Sequence, residues 1–390
     1  MPKDLRDQAT NAADATERGA IYRRIGVEPI VNGATTMTYL GGSLMPPEVL
    51  DAMRQASESF VDLYELQSAV GRRIAELTHN EAAFISGGAA AGMFLSAVVC
   101  MARDAVDGIV RPDELDGRRR DFLIQHHHRI PYDPAIELAG GRLVEVGSPD
   151  GTTERDFEAA LGPETAGILH VAGAHLADGA LPLETVVRLA GALEVPVIVD
   201  AAAQLPPVEN LWAFTAAGAD IVLFSGGKAL RGPASTGLVL GRARYVDRFA
   251  AHAAPRQRIG RPMKVGKEDL IGILAAVEWY LAQDHPAVAQ RYETIVDHVV
   301  AWARQRRDVT AVRDTPGQAG QPTPRVLLTL SAALADRRDE VLARLRAYPP
   351  RVELLPAGDD GLYLAPECLL PGDEVVITRR LAEVLEGLGR

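Results

Sequence analysis

The chain contains a series of short, almost wholly apolar segments, separated by longer stretches with helical spacing. The segments that we interpret as strands are 81–85, 121–125, 142–146, 167–171, 195–199, 221–224 and 238–240. Strands that are apolar at successive positions are buried on both faces, and their alternation with helices is typical of parallel sheets. The pattern predicts an α/β fold with a mostly parallel sheet that helices cover on both faces.

Polar residues follow several of these predicted strands. Parallel sheets bind ligands beyond the carboxyl ends of their strands, so we expect a site where these residues gather. The candidates are Ser86, His126, His127, His128, His175, Asp200, Ser225 and Lys228.

Asp200 and Lys228 carry the most specific signal. Asp200 ends one apolar segment, and Lys228 follows the next one after Ser225 and two glycines. Taken singly, the lysine could be a solvated rim residue and the aspartate a helix N-cap. Together they predict pyridoxal 5′-phosphate (PLP) as the cofactor, with Lys228 as the Schiff-base residue and Asp200 paired with the pyridinium nitrogen. In this interpretation Lys228 also transfers the substrate's Cα proton.

A glycine-rich turn begins at Ser86 and continues through Gly87, Gly88 and Ala89 into an apolar helix. Free backbone N–H groups and the helix dipole make such a turn a candidate site for the cofactor phosphate, helped by the Ser225 hydroxyl. Tight helix packing is the alternative. The glycine spacing does not match the dinucleotide motif Gly-x-Gly-x-x-Gly, so a dehydrogenase is the least favoured alternative.

The histidines allow several roles. A metal tract at His126–His128 is disfavoured because consecutive side chains point in alternating directions and no Cys or carboxylate cluster completes a site, so no metal is predicted. One of the three, with His128 preferred, is expected to stack on the cofactor ring. His175 is expected to hydrogen-bond the cofactor's phenolic oxygen or the substrate, and a plain surface histidine is the alternative.

A basic cluster follows in a turn-rich linker. Arg258, Arg261 and Lys264 are expected to bind an anionic group of the substrate, because arginine pairs with carboxylate and phosphate bidentately. A solvated turn is the alternative. We predict three segments: an N-terminal arm (1–28), a large PLP-binding domain (29–255) and a smaller C-terminal α/β domain (256–390). In the last segment the pattern predicts strands near 325–330 and 361–365 and a final helix from about 374 to 387.

The composition of the chain limits the classes of partner that it is expected to bind. The net charge of −11 argues against broad binding to nucleic acid, which needs clustered Lys and Arg. No apolar run reaches the ~20 residues that span a bilayer, and no signal-peptide core is present. With only two cysteines, both in apolar segments, we expect a cytoplasmic protein with no membrane partner.

Residues 224–241, together with Asp200, resemble PLP enzymes of fold type I (aspartate aminotransferase-like), in the bacterial selenocysteine synthase (seryl-tRNA selenium transferase) branch. Weaker supporting stretches occur in the branch's order: 31–34, 129–133, 143–146 and 258–261. The resemblance implies Lys228 as the cofactor lysine, Asp200 as the ring-nitrogen partner, and Arg258 and Arg261 as anion ligands. It also implies a homodimer or larger homo-oligomer with sites at subunit interfaces.

Two departures redirect the expected substrate. Selenocysteine synthases carry an additional N-terminal domain for tRNA, whereas here the similarity begins near Pro29. They also have an arginine in the turn where this chain has Gly42. The resemblance is therefore nearer to members of the D-glucosaminate-6-phosphate ammonia-lyase type, and we expect a small amino acid rather than a tRNA as substrate.

The predicted function is a PLP-dependent lyase that acts at Cα and Cβ of a small anionic amino acid and releases a 2-oxo acid and ammonia. The same site chemistry leaves a racemase or epimerase, an aldolase and a transferase (including an aminotransferase) open. A non-enzymatic PLP-binding protein is a further alternative.

Overall fold

The computed structural model describes residues 19–103, 105 and 107–388. The chain divides into two compact units. The larger comprises Gly41–His285 and Pro316–Thr323, and the smaller comprises the described residues up to Leu40, Pro286–Thr315 and those from Pro324 onward. The predicted arm, 1–28, lies outside the described residues over its first 18 positions. The three-segment division stays a prediction.

The elements follow each other as the sequence pattern indicates. The strands are β1 (Ile30–Asn32), β2 (Ala82–Ser86), β3 (Asp121–Gln125), β4 (Arg142–Val146), β5 (Thr165–Val171), β6 (Val197–Asp200), β7 (Ile221–Ser225), β8 (Gly237–Gly241), β9 (Val309–Asp314), β10 (Arg325–Leu330), β11 (Arg351–Glu353), β12 (Leu355–Ala357) and β13 (Gly361–Leu364). The helices are α1 (Ala20–Arg23), α2 (Pro47–Ser57), α3 (Leu63–Leu77), α4 (Ala89–Met101), α5 (Pro134–Leu138), α6 (Glu154–Ala160), α7 (Leu183–Gly191), α8 (Asn210–Ala216), α9 (Ala243–Val246), α10 (Phe249–His252), α11 (Lys267–Leu281), α12 (His285–Ala303), α13 (Arg338–Ala347) and α14 (Asp373–Leu388).

The larger unit is built on a seven-stranded sheet with the order β2-β8-β7-β6-β5-β3-β4. Neighbours from β7 through β6, β5 and β3 to β4 pair in parallel, while β8 runs antiparallel to both β2 and β7. All strands except β8 therefore end at one edge of the sheet. The predicted mostly parallel α/β fold is confirmed.

Apolar side chains cover both faces of this sheet. On β6, Val197 and Val199 belong to one buried cluster and Ile198 to the other, because successive strand residues point to opposite faces. By the same alternation Asp200 lies on the face of Ile198, where α4 packs. Strand β7 repeats the pattern, which puts Ser225 on that face as well.

The start of α3 illustrates how the sequence fixes a helix boundary. The Asp62 carboxylate accepts hydrogen bonds from the backbone N–H groups of Tyr64 (2.7 Å) and Glu65 (3.3 Å). These donors have no partner inside the helix, so the aspartate defines where the helix begins. Val70 and Ile74 then bury one face of the helix against the larger core.

The smaller unit has its own core and two small sheets. A four-stranded antiparallel sheet has the order β12-β13-β10-β9, and β1 pairs in parallel with β11. The sequence pattern predicted β10, β13 and α14 here; it missed β9, α12 and α13. Among the helices of the described residues, none has the length and apolar character needed to cross a membrane.

Candidate active site at the carboxyl edge of the larger sheet

Asp200 ends β6 and is only 6% exposed. Its Oδ1 atom accepts a hydrogen bond of 2.9 Å from the N–H group of Ala202. Burial raises the pKa of the Asp200 carboxyl, while the Ala202 hydrogen bond and the positive charge of Lys228 oppose that rise. A buried carboxylate of this kind is stable only beside a positive charge or a hydrogen-bond donor.

Lys228 lies partly buried in the loop that follows β7, one strand away from Asp200. Burial lowers the pKa of its ammonium group, and the Asp200 charge counteracts this effect. The two charges thus act on one another, so the structure brings together the two residues that carry the strongest sequence signal. A lowered pKa leaves more of the amine uncharged near neutral pH, the form that attacks a carbonyl carbon.

The two glycines before Lys228 are required by packing within the protein. A Cβ atom on Gly226 would lie 2.0 Å from the Thr236 Oγ1 atom, and one on Gly227 would lie 2.5 Å from the Ala234 Cα atom. The absence of side chains at Gly226 and Gly227 leaves room for these neighbours. The observed role of the two glycines is to let the lysine loop fold back on residues 234–236.

The glycine turn leads from β2 into α4. Gly88 has φ +105°, a conformation that favours glycine, and precedes a helix whose first N–H groups have no partner within the helix. The Ser86 hydroxyl is buried and lies 2.9 Å from the Gly88 carbonyl oxygen and 3.3 Å from that of Gly237. The hydroxyl therefore braces the turn, and Ala89 is the first helical residue after it.

The three consecutive histidines form a short 3₁₀ turn after β3. His126 Nδ1 lies 2.6 Å from Glu145 Oε1, and His127 has a buried Nδ1 atom without a hydrogen-bond partner among the described residues. Within residues 19–103, 105 and 107–388, no group of three or more His, Cys, Asp or Glu side chains could hold a metal ion.

His128 packs edge-on against His170, with ring centroids 4.5 Å apart. Its Nδ1 atom accepts a hydrogen bond from the Val171 N–H group, and burial, followed by the charge of His127, lowers its pKa to about 4. On β5, Val171 is the register partner of Asp200, so His170 points to the opposite face. His128 is therefore packed on the side of the sheet away from Asp200, and its predicted stacking role stays a prediction.

His175 contacts a loop that sequence reasoning did not connect with the site. Its ring donates a hydrogen bond to the Ala319 carbonyl oxygen, and the Gln204 amide donates to the same oxygen at 2.8 Å. Burial lowers the His175 pKa, and the bond to Ala319 partly offsets this. The loop 316–323 belongs to the larger unit although it lies more than 100 residues further along the chain. No local pattern signals such a contact.

The three basic candidates separate into two environments. The Arg258 guanidinium donates to the backbone carbonyl oxygens of Asp107 (2.7 Å) and Gln257 (3.1 Å). Arg261 and Lys264 instead line a cavity of about 220 Å³ together with Ser86. The Arg261 Nε atom is buried and lacks a hydrogen-bond partner among the described residues, which suits an anionic ligand.

The sequence of residues 30–296 matches the family model of L-seryl-tRNA selenium transferase, more than half of the chain. The chain belongs to this family. It is 30% identical to the D-glucosaminate-6-phosphate ammonia lyase of Salmonella typhimurium, over 94% of this chain and 98% of that one. It is 35% identical to the 5′-C-glycyluridine monooxygenase-decarboxylase of a Streptomyces species, over 93% of this chain and 92% of that one.

Solved structures agree with this family membership. The structure of D-glucosaminate-6-phosphate ammonia-lyase superposes with a TM-score of 0.81 at 29% identity, covering 95% of this chain and 99% of that chain. An aspartate aminotransferase from Thermotoga maritima shares the fold, with a TM-score of 0.51 at 15% identity, covering 98% of this chain and 97% of that chain. The predictions of fold type I, of an enzyme and of PLP as its cofactor are confirmed.

The residues at the sheet edge fit PLP chemically. A ring nitrogen that becomes positively charged suits the buried Asp200 carboxyl, because burial raises its pKa and a neighbouring positive charge opposes that rise. An aldehyde suits the amine of Lys228 with its lowered pKa. A phosphate suits the exposed N–H groups of the turn after β2.

Proposed function

We propose that this family member is a PLP-dependent lyase that removes the amino group of a small amino acid carrying a second anionic group. The observation that carries the proposal is the coupled pair of Asp200 and Lys228 at adjacent strand ends, with one pKa raised and the other lowered by burial. The end-to-end similarity to an ammonia lyase supports elimination among the reactions that PLP permits.

In this proposal Lys228 has two tasks. Its amine would hold the cofactor through the cofactor's aldehyde carbon, and it would take the proton from the Cα atom of the bound substrate. Burial favours the uncharged form of the amine, which both tasks need. Asp200 holds the ring nitrogen in its protonated form. PLP, when bound, supplies an electron-withdrawing ring that lets bonds at Cα break.

The proposed net reaction converts a 2-amino acid into a 2-oxo acid and ammonia. A 2-amino acid with a hydroxyl on Cβ loses the Cα proton and the Cβ hydroxyl as water, and hydrolysis then returns one water and releases a 2-oxo acid and ammonia. Ser86, Gly87, Gly88, Ala89 and Ser225 are proposed to surround the cofactor phosphate, and His175 to bind near the reacting end.

The anionic group of the substrate is assigned to Arg261 and Lys264. Support comes from their shared cavity with Ser86 and from the unpartnered Arg261 Nε atom. Arg258 was predicted to belong to the same cluster, and we propose that it shapes the segment through its bonds to backbone carbonyls. A phosphorylated amino sugar acid, as named in the ammonia lyase relative, is the substrate class that we test first.

The test is a substrate screen with purified protein and PLP. Serine, D-glucosaminate and D-glucosaminate 6-phosphate are compared, and ammonia and 2-oxo acid are both quantified. We expect equal amounts of the two products, a clear preference for D-glucosaminate 6-phosphate over D-glucosaminate and serine, and no product from Lys228→Ala. Racemised substrate without ammonia, or amino-group transfer to a keto acid, would contradict a lyase.

A second candidate is the monooxygenase-decarboxylase reaction of the Streptomyces relative, favoured by 35% identity over 93% of the chain. Its name denotes consumption of O₂ and loss of CO₂ from a glycyl-nucleoside. An oxygen electrode and CO₂ trapping with such a substrate separate it from the lyase, which consumes no O₂.

We also propose a homo-oligomer with a small-molecule substrate rather than a nucleic acid. The net charge of −11 supports a small-molecule substrate rather than a nucleic acid. Support for a homo-oligomer comes from exposed apolar side chains just before α3 and in its first turn: Phe60 is 103% exposed, and Val61 and Tyr64 are each 50% exposed. Light scattering after size exclusion should give at least twice the chain mass.

A further inference from the structure

The segment Gly42–Leu44 holds the loop that carries Lys228. Both the N–H group and the hydroxyl of Ser43 donate hydrogen bonds of 2.9 Å to the Gly227 carbonyl oxygen. One residue further on, the Leu44 carbonyl oxygen accepts a hydrogen bond of 2.6 Å from Arg231 Nε. We call these contacts of residues 42–44 with residues 227–231 the clasp.

The clasp is fitted closely to the peptide that precedes Lys228. Gly42 has φ +76°, and a Cβ atom there would lie 2.6 Å from the Gly227 oxygen. No side chain can therefore replace Gly42 without pushing that carbonyl away. Ala234 closes in on Gly227 from another direction, as described above, so the peptide between Gly227 and Lys228 has little room to rotate.

Other hydrogen bonds fix the remainder of the loop. Gly226 N–H donates to Thr236 O (2.8 Å), Gly232 N–H to Gly226 O (2.8 Å), and Arg231 N–H to Lys228 O (2.9 Å). Among the described residues, both hydrogen bonds that the Gly227 carbonyl accepts come from Ser43. The orientation of that carbonyl, and with it the direction in which the next side chain leaves the backbone, thus depends on Ser43.

We propose that Ser43 is a positioning residue for Lys228: through the Gly227 carbonyl it directs the amine toward Asp200. The inference rests on the proposed role of Lys228 as the cofactor lysine. Ser43 acts through the backbone and has no part in bond breaking. Its effect should appear in how tightly and in which protonation state Lys228 holds PLP.

The test compares Ser43→Ala, Ser43→Thr and a matched control, Ser235→Ala. Ser235 lies in the same loop region, is exposed, and donates to Asp269 rather than to the lysine peptide. Cofactor-free protein of each variant is titrated with PLP, and its visible absorbance is followed against pH. Thermal unfolding of the cofactor-free proteins measures any loss of fold.

Ser43→Ala should weaken PLP binding about three- to tenfold, the equivalent of one net hydrogen bond. The pH midpoint of the visible band should move upward, because the band would report protonation of the nitrogen through which Lys228 holds PLP. When Lys228 is less restrained, this nitrogen is better hydrated and its charged form is less disfavoured. Ser43→Thr should restore both properties, since it keeps the hydroxyl, and Ser235→Ala should match the wild type. A purely structural role would lower the unfolding temperature and leave the pH midpoint unchanged.

Arg231→Lys provides a second variant should Ser43→Ala not fold, because it removes the Nε donor of the clasp at a partly exposed side chain. It should shift PLP affinity and pH midpoint in the same directions. Borohydride reduction and peptide mass spectrometry of the wild type separate the two hypotheses. A label missing from Lys228 would overturn the proposed function and the Ser43 role with it. A label on Lys228, combined with wild-type affinity and pH midpoint in the clasp variants, would overturn the Ser43 role alone.

Discussion

At the scale of single residues, the proposed chemistry depends on two side chains whose ordinary charge states are disfavoured by burial. Asp200 and Lys228 each lose hydration, and each is partly compensated by the other's charge. Such opposed shifts are frequent at catalytic sites, where one group must remain charged and the other must be able to lose its proton. A bound PLP with a protonated ring nitrogen would complete the compensation for Asp200.

Asp200→Asn tests this assignment. The amide keeps the size of the carboxyl group and still accepts the Ala202 N–H bond, but it cannot balance a positive ring nitrogen. We expect PLP to remain bound to Lys228, while the rate of ammonia release falls at least about 10²-fold, as for the loss of one preorganised electrostatic contact. Asp178→Asn, in the exposed loop after β5, is the matched control. An unchanged rate would exclude Asp200 as the ring-nitrogen partner.

At the scale of secondary-structure elements, the proposed phosphate site depends on how closely the start of β8 packs against the glycine turn. A Cβ atom on Gly237 at the start of β8 would lie 2.4–2.6 Å from backbone atoms of Gly88 and Ala89. The turn therefore keeps its shape only because β8 begins with glycine.

Gly237→Ala should displace the turn and weaken phosphate binding. The expected result is a lower affinity for PLP with little change in the affinity for pyridoxal, which lacks the phosphate; absorbance titrations measure both. Gly191→Ala is the matched control, because a Cβ atom at that helical position meets nothing within 4 Å. Equal losses for PLP and pyridoxal would mean that the turn supports the fold without binding the phosphate.

The strands show which parts of the fold the sequence could predict. Short apolar runs are recognisable in a sequence, so β3, β4 and β10 were predicted with their observed bounds, although only β3 is largely buried on both faces. Asp200 and Lys228 were predictable because each follows such a run. The antiparallel direction of β8 and the packing role of Gly237 were not, since they depend on which strands become neighbours.

Contacts between distant parts of the chain account for the remaining differences. Ser43 bonds to Gly227 across 184 residues, and Gln204 to Ala319 across 115. In the sequence, Gly42 is notable only because selenocysteine synthases have an arginine at this position. The structure adds a steric reason for glycine there. Spacing along a sequence carries no information on such pairs, because they arise only when the sheet has formed.

At the scale of the whole molecule, acid should destabilise the larger unit through histidines that it buries uncharged. The pKa of His252 is lowered from 6.5 to about 4, first by burial and then by the charges of Arg248 and Arg258. Burial similarly lowers the pKa values of His128 to about 4 and of His170 to about 3. Since the unfolded chain binds more protons than the folded one in this range, stability is fully present above pH ~6.5 and falls as the pH drops toward ~4.

His252→Asn isolates one of these contributions. Its side-chain oxygen can still accept the Ile109 N–H bond that the His252 Nδ1 atom now accepts at 3.0 Å, but it does not titrate in this range. The wild type should lose up to ~3 kcal/mol from this histidine between neutral pH and pH 4, and the variant should lack that share of the loss. Urea unfolding at several pH values measures it, with His79→Asn at an exposed position as the control. Since lost ring packing would lower stability equally at every pH, only a flatter pH profile would indicate that the buried, uncharged imidazole is the cause.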